Sequence, residues 1–233
     1  MIDAFPVILT TVERAVRLVS TARLRKPVLA DLVGEEDLET LAEIEGATSD
    51  RLLRQRRGGA GISPMEFVFG VPGHSLINAA FAYARPRGLN RFNGPNRGAW
   101  YAAFEVETAI AEVSFHLTRE LDNIGVYKTN VDYAELFASF AGEFLDLRSL
   151  PDPQPECLNP DIEIGYPHGN AVADAARTKG LNGIIYPSVR RQGGTCLVAL
   201  IPHAVQSVAQ GRVIRLIWKG KREPDVVLNP AAA

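Results

Sequence analysis

The stretch RFNGPNRGAWYAAFEVETAIAEVSFH, residues 91–116, sets the organisation of the middle of the chain. It begins in a loop rich in glycine, proline and asparagine, continues through the apolar run AWYAAF at residues 99–104, and ends in a helical pattern. Turn residues interrupt regular structure, and a short apolar run beside them is typical of a buried strand. The stretch therefore predicts a loop, a strand and a helix in succession, which carry Arg91, Tyr101 and Glu112.

The helix is predicted over residues 105–121 and has the clearest pattern in the chain. Glu105 and Glu107 lie in its first turn, where acidic side chains favour the positive end of the helix dipole. Its apolar stripe consists of Val106, Ala109, Ile110, Val113 and Leu117. Because Glu112 lies beside this stripe, we expect its carboxylate to emerge at the edge of a cleft. A carboxylate in such a place is either paired or functional.

The remaining patterns mix strands and helices without a regular alternation. Strands are predicted at residues 66–70, 123–133, 183–188, 195–201 and 212–218, and helices at 75–84 and 170–180. Residues 149–168 are rich in proline and are expected to form a long surface connection. This mixture predicts an α+β fold with mixed, partly antiparallel sheets and packed helices.

The N-terminal quarter is predicted to be a separate helical subregion. Residues 6–20 have apolar positions at mixed helical spacing. Residues 35–57 look like a pair of helical pieces, acidic first and basic last, and the glycine-rich segment GGAGISP follows at 58–64. We therefore expect a helical N-terminal subregion at residues 1–62 and a second domain at residues 63–233.

The composition limits the possible environments and partners. With 46% hydrophobic and 22% charged residues, the chain is typical of a globular protein with a sizeable core. A net charge of −2 favours neither direct nucleic-acid binding nor attraction to a membrane. Cys157 and Cys196 form no CxxC motif, and the N-terminus lacks a signal-like pattern, so we expect a cytoplasmic protein.

Several common catalytic motifs are missing from the sequence. It contains no GxGxxG after a strand, no P-loop, no GxSxG elbow, and neither cysteine has a neighbouring histidine. Glu112 and His116 share a helix face, but two ligands are too few for a metal site, so we expect no metal. The basic run at residues 51–57 lacks interleaved aromatic residues and is read as a solvated helix face.

The loop at residues 91–98 is suited to phosphate because guanidinium groups bind phosphate oxygens in pairs and glycine permits close approach. Taken singly, each candidate also has an ordinary structural explanation. Arg91 could close the loop on backbone carbonyls, Tyr101 could be a half-buried strand residue, and Glu112 could form an ion pair.

Taken together, these residues resemble the RES domain family, which is named for its Arg, Glu and Ser. The first matching block contains Arg91-Phe92-Asn93, Gly94-Pro95, Tyr101, and a helix from Glu105 to Glu112 with His116 one turn later. The second block, GLNGIIYPSVRRQGG at residues 180–194, supplies Ser188 and Arg190. The family often begins its domain with an aromatic–arginine pair, which EFVFG lacks. Its role would then fall to another arginine among Arg17, Arg85 and Arg87.

The resemblance implies an ADP-ribosyltransferase-like fold and an enzyme that consumes NAD+. Family members are toxins of bacterial toxin–antitoxin pairs, and they pass ADP-ribose to water, to phosphate or to a protein side chain. They therefore act as NAD+ glycohydrolases, phosphorylases or ADP-ribosyltransferases. The implied partner is a helical, Xre-like antitoxin that covers the active site. A non-catalytic partner-binding module with the same fold is the alternative.

The resemblance also implies a role for each matched residue. Glu112 would stabilise the positive charge that develops on the ribose when nicotinamide leaves. Arg91, with Arg97, would hold the pyrophosphate, and Tyr101 would stack against the nicotinamide or its ribose. Ser188 would bind the substrate and orient Glu112. Asn93 and Arg190 complete the predicted NAD+ contacts.

Overall fold

The computed structural model describes residues 2–24, 61–82, 88–149 and 153–229. These residues contain seven strands: β1 (Val7–Ser20), β2 (Trp100–Ala103), β3 (Lys128–Asp146), β4 (Gly183–Pro187), β5 (Thr195–Ala199), β6 (Val205–Lys219) and β7 (Asp225–Leu228). They also contain three α-helices: α1 (His74–Ala82), α2 (Val106–Ile124) and α3 (Ile162–Thr178). The predicted α+β class is confirmed. No helix within the described ranges is long and apolar enough to cross a membrane.

The strands form one mixed sheet in the order β1-β2-β5-β4-β3-β6-β7. Strand β1 also pairs with β3, so five of the strands close into a ring, and β6 and β7 extend from it. The pairing of β3 with β4 is parallel, and every other pairing is antiparallel. The 19 residues of β3 hold this arrangement together because they contact β1, β4 and β6.

The sheet has an apolar cluster on each side. Helix α2 packs on one of them with the predicted stripe, in which Ala109 is buried and the other members are partly buried. The opposite cluster contains Trp100, Phe140 and Phe144 together with Ile77 and Phe81 of α1. Burial of these large side chains supplies most of the driving force for folding. The apolar stripe therefore fixes α2 on the sheet and determines which way Glu112 can point.

The prediction of N-terminal helices is wrong for Val7–Ser20, which form β1. This segment is rich in valine, isoleucine and threonine, whose branched side chains suit a pleated sheet. Its pairing with β3, from Val7 opposite Leu145 to Ser20 opposite Tyr133, overrides the mixed helical spacing. Residues 35–57 lie outside the described residues, and the domain boundary after residue 62 stays a prediction.

Residues 66–70 were predicted as a strand and are not one. Pro64–Glu66 form a 3₁₀ turn that Ser63 caps, since its hydroxyl accepts from the Met65 N–H. The Asn78 side chain then occupies the position that a neighbouring strand would take. Its Oδ1 accepts from the Val68 N–H at 3.0 Å, and its Nδ2 donates to the Val68 carbonyl at 2.8 Å.

The proline-rich connection is shorter than predicted because α3 begins at Ile162. Asp161 caps the helix by accepting a hydrogen bond from the Glu163 N–H at 3.0 Å, and Pro167 lies within the helix. The predicted helices at 75–84 and 105–121 and the strands at 99–104, 183–188, 195–201 and 212–218 are confirmed, with shifted ends. Strand β3 extends well past the predicted end at residue 133, and β7 was not predicted.

Two glycines allow α3 to lie directly against the loop that carries Arg91. A Cβ at Gly169 would be 2.0 Å from the Arg91 carbonyl oxygen, and one at Gly165 would be 2.8 Å from Arg91 Nη1. Asn170 secures the contact, because its Nδ2 donates to the Asn90 carbonyl at 2.7 Å. The position of Arg91 therefore depends on small residues in a helix about 75 residues further along the chain.

We expect Gly169→Ala to lower the free energy of unfolding by about 2 kcal/mol, because the added methyl collides with backbone and the helix must move. At an open helix position, the same change would stabilise by about 1 kcal/mol, so the sign of the effect is informative. Urea denaturation of both forms measures it. Gly88→Ala is the control, since no atom of the described residues lies within 4 Å of the added methyl and unfolding should be little changed. Equal stabilities for Gly169→Ala and the parent would contradict the close contact.

Candidate active site

The two sequence blocks meet at a small cavity between α2, α3 and the ends of the central strands. It is lined by Asn90, Arg91, Tyr101, Glu112, His116, Tyr166, Tyr186 and Arg190. Its volume is about 60 Å³. The structure thus gathers Arg91, Tyr101, Glu112 and Arg190 around one space, although they come from separate parts of the chain.

Glu112 lies near the middle of α2, and one of its carboxylate oxygens is anchored. Ser188 Oγ donates a hydrogen bond to Glu112 Oε1 at 2.7 Å, and Cys196 Sγ contacts the same oxygen at 3.7 Å. The other oxygen, Oε2, accepts no hydrogen bond from the described residues. One carboxylate oxygen, Oε1, is therefore fixed by its partners, and the other, Oε2, is available to interact with a ligand.

Ser188 follows β4 and is itself tightly held. Its Oγ accepts hydrogen bonds from the backbone N–H groups of Arg190 and Arg191, both at 3.1 Å. Because two donors already point at this oxygen, its single proton is directed to Glu112. The hydrogen bond from Ser188 therefore holds one oxygen of the Glu112 carboxylate in a fixed position.

Cys196 is a member of this group that was not predicted. It is buried in β5, directly opposite Tyr186 of β4, so the hairpin register places its thiol beside Glu112. Burial, followed by the charge of Glu112, raises the pKa of the Cys196 thiol far above its usual range. The thiol consequently stays protonated and can act as a weak donor to the carboxylate. The position of Cys196 beside Glu112 follows from the pairing of β4 with β5, which the sequence does not show.

Arg91 is buried and combines two roles in the structure. Its Nη1 donates to the carbonyl oxygens of Cys157 at 2.7 Å and Asn159 at 3.0 Å, and its guanidinium carbon lies 5.5 Å from the centre of the Tyr166 ring. Its Nε and Nη2 have no hydrogen-bond acceptor among the described residues. Arg91 therefore closes a loop, as its ordinary explanation requires, and still faces the cavity.

Tyr101 faces the cavity while its hydroxyl ties the strand to the preceding loop. The hydroxyl donates to Asn93 Oδ1 and accepts from the Phe92 N–H, both at 2.9 Å. Burial raises the pKa of Tyr101 well above its usual range, so the hydroxyl stays neutral. Asn93 in turn donates through Nδ2 to the Arg97 carbonyl at 2.9 Å. The Asn93 side chain therefore makes hydrogen bonds that stabilise the loop at residues 91–98.

Arg97 does not reach the cavity. Its guanidinium pairs with Glu66 at 2.6 Å and donates to the Gly61 carbonyl at 2.8 Å. A carboxylate 31 residues earlier therefore holds the second arginine of the basic loop on another side of the molecule.

Arg190 faces the cavity with an unsatisfied donor. Its guanidinium carbon lies 3.4 Å from the centre of the Phe115 ring, and its buried Nη2 has no hydrogen-bond partner among the described residues. Burial, followed by the charge of Arg91, lowers the pKa of Arg190. A buried guanidinium nitrogen that lacks an acceptor, next to a second cation, is costly unless an anion binds there.

Two tyrosines in the lining were not predicted. Tyr166 lies within residues 149–168, which were expected to be irregular, so its place on a helix face could not be anticipated. Tyr186 is buried in β4, and the alternation of side chains along GIIYPS is the signal that would have placed it beside Ser188 on the hairpin. Both rings narrow the cavity around Glu112.

We expect Tyr101→Phe to lower the free energy of unfolding by about 1–3 kcal/mol. The change leaves the Phe92 N–H without its acceptor and Asn93 Oδ1 without one of its donors, while the aromatic ring stays in place. Chemical denaturation measures the loss. Tyr127→Phe is the control, because that hydroxyl bonds to Asp122 at the far end of α2, away from the cavity. A Tyr101→Phe protein as stable as the parent would contradict the bridging role.

Comparisons with known proteins found chains that are similar to this one. An uncharacterized protein, y4oC, from Sinorhizobium fredii (strain NBRC 101917 / NGR234) is 27% identical over 197 residues, which cover 84% of this chain and 78% of the relative. A chain in the crystal structure of the M. tuberculosis MbcT-MbcA toxin-antitoxin complex aligns with a TM-score of 0.46 and 16% identity. The alignment covers 93% of this chain and 90% of the other.

A sequence profile of the RES domain matches residues 67–219. The match takes in about two thirds of the chain and contains both blocks, from Arg91 to His116 and from residue 180 to residue 194. The predicted resemblance is confirmed, and the chain belongs to the RES domain family.

Proposed function

We propose that this protein is the toxin of a toxin–antitoxin pair and consumes NAD+ by cleaving the bond between nicotinamide and ribose. ADP-ribose would pass to an acceptor, and growth would be inhibited unless an antitoxin is bound. Membership of the RES family supports this proposal. The observation that carries it is the carboxylate of Glu112, which Ser188 holds by one oxygen in a cavity lined by Arg91 and Arg190.

The proposed reaction places Glu112 beside the anomeric carbon of the ribose. As the carbon–nitrogen bond breaks, its electron pair moves to the pyridine nitrogen and cancels the positive charge there. Nicotinamide therefore leaves neutral without needing a general acid. Positive charge develops on the ribose ring, and Glu112 Oε2 is available to stabilise it. The acceptor then supplies an electron pair to the anomeric carbon and loses a proton.

Two guanidinium groups are proposed to bind the pyrophosphate of NAD+. Arg190 has a buried nitrogen without an acceptor, and Arg91 has two nitrogens that bond to none of the described residues. Guanidinium groups bind phosphate oxygens in pairs, and two of them match the two negative charges of a pyrophosphate. Arg190 thus takes the place that the sequence assigned to Arg97, which is paired with Glu66.

We propose that the rim of the cavity moves when a dinucleotide binds, because the cavity is too small to hold one as it stands. Pockets for small organic ligands usually measure about 300–1,000 Å³, well above the 60 Å³ found here. Arg190, which stacks on Phe115, and Tyr166 of α3 both line the cavity. Movement of these side chains would open the space while Ser188 and the helix keep Glu112 fixed. The closed cavity is also the observation that favours the alternative, a partner-binding module without catalysis.

The acceptor can be water, inorganic phosphate or a protein side chain. Mass spectrometry of the products distinguishes free ADP-ribose from its phosphate ester, and radiolabel from NAD+ appearing in protein identifies a protein acceptor. The proposed partner is a helical, Xre-like antitoxin that covers the cavity, and the proposed location is the cytoplasm.

We expect Glu112→Gln to slow NAD+ consumption by about 10²-fold or more, because it keeps the shape of the side chain and removes the stabilising charge. The rate of NAD+ loss, followed by mass spectrometry, measures the effect. Glu107→Gln is the matched control, since it makes the same change on an exposed position of the same helix. Glu107→Gln should keep the parental rate. A Glu112→Gln protein as active as the control would remove Glu112 from the reaction.

We expect Arg190→Gln to raise the Michaelis constant for NAD+ by at least about tenfold, because a hydrogen bond to a charged group contributes about 1.5–3 kcal/mol. Steady-state kinetics measures this, with a smaller change expected in kcat. Arg191→Gln is the control, because that guanidinium bonds to Thr108 Oγ1 outside the cavity. An unchanged Michaelis constant in Arg190→Gln would contradict the assignment of the pyrophosphate site.

A further inference from the structure

Three neighbouring strands lose their register near one point of the sheet. In β1 the register shifts between Val12 and Ala15, and Glu13 and Arg14 are the residues left between these pairs. In the pairing of β3 with β6 the register shifts between Ala134 and Leu136, so Glu135 lies opposite Gly211 and Arg212. Bulges of this kind redirect side chains and are common next to binding sites.

Four of these bulged residues, Arg14, Glu135, Gly211 and Arg212, line a second, open cavity of about 510 Å³. Its charged wall consists of Arg14, Glu135 and Arg212, and its apolar wall includes Phe104, Val106 and Phe137. None of these residues lines the cavity around Glu112. The volume falls within the range of about 300–1,000 Å³ that is usual for sites of small organic ligands.

The charged wall has one more positive than negative group. Glu135 is 3% exposed and accepts from Arg212 Nε at 3.0 Å and from the Arg212 N–H at 3.3 Å. Both Nη atoms of Arg212 are without an acceptor among the described residues. The Arg14 guanidinium lies 3.8 Å from the centre of the Phe137 ring and forms no hydrogen bond with the part of the chain that is described. Guanidinium nitrogens therefore remain available for an anion.

Gly211 allows Phe137 and Glu135 to pack closely against the backbone beside the charged wall. A Cβ at this position would lie 2.4 Å from a carbon of the Phe137 ring and 2.9 Å from Glu135 Oε2. The absence of a side chain thus allows the aromatic ring beneath Arg14 and the carboxylate beneath Arg212 to approach the same stretch of backbone. The Phe137 ring holds the Arg14 side chain in place, and the Glu135 carboxylate holds that of Arg212. The two side chains therefore lose less conformational entropy when a ligand binds.

We propose that this cavity is a second binding site, which takes a small organic anion with one carboxylate or phosphate group on an apolar body. The anionic group would bind the free nitrogens of Arg14 and Arg212, which suit both groups because guanidinium forks match their paired oxygens. The apolar body would lie against Phe104 and Val106. This site is independent of the proposed reaction with NAD+.

Isothermal titration calorimetry with phenyl phosphate and with benzoate tests the proposal, and benzyl alcohol serves as the uncharged probe. We expect the parent protein to bind at least one of the two anions at millimolar or lower concentration and not to bind the alcohol. Arg14→Gln should weaken binding by at least about tenfold. This variant is expected to fold because Arg14 pairs with no carboxylate in the part of the chain that the structure describes. Arg148→Gln removes the same charge elsewhere, beside Asp146, and should bind like the parent.

The Arg190→Gln variant separates the two cavities, since both contain two arginines. It should bind phenyl phosphate and benzoate like the parent if the probes occupy the second cavity. Loss of binding in Arg190→Gln with retention in Arg14→Gln would place the probes beside Glu112 and overturn the proposal. Failure of the parent to bind either anion, or equal binding by Arg14→Gln and the parent, would overturn it as well.

Discussion

The hydrogen bond between Ser188 and Glu112 is the interaction on which the site depends. It joins α2 to the turn after β4, and these two elements are 76 residues apart in sequence. Two backbone N–H groups fill the acceptor positions of the Ser188 hydroxyl, so its proton has one direction left. The bond therefore fixes one oxygen of the carboxylate and leaves the other to face the cavity. A preorganised charge of this kind is what the proposed loss of nicotinamide requires.

The rest of the fold serves to bring these elements together. Strand β3 closes the ring of strands, the apolar stripe of α2 fastens that helix to the sheet, and the β4–β5 hairpin presents Ser188 and Cys196 to the same carboxylate. On the other side of the cavity, Gly165 and Gly169 let α3 approach the loop of Arg91. Arg91 is thus both a fastening for that loop and part of the cavity wall. Its structural role and its proposed role in binding the pyrophosphate therefore coincide in one residue.

Local patterns predicted the parts of the site that depend on one element. The stripe of α2 indicated where Glu112 points, and the two sequence blocks identified the family and four of the eight residues that line the cavity. Local patterns failed where contacts with residues far away in sequence determine the structure. Strand β1 is fixed by β3 despite its mixed spacing, Arg97 is held by Glu66, and Tyr166 lies in a proline-rich segment that nevertheless becomes helix. The second cavity arises from bulges, which depend on the pairing of strands and have no local signature.

The most direct measurement follows nicotinamide release when the purified protein is incubated with NAD+, with phosphate and cell extract added in separate reactions. The account predicts free nicotinamide in amounts equal to the NAD+ lost, in at least one of these conditions. NAD+ that stays intact in all of these reactions would contradict the assignment of Glu112 as the group that stabilises the positive charge on the ribose. The protein would then be better described as a binding module that retains the cavity without the chemistry.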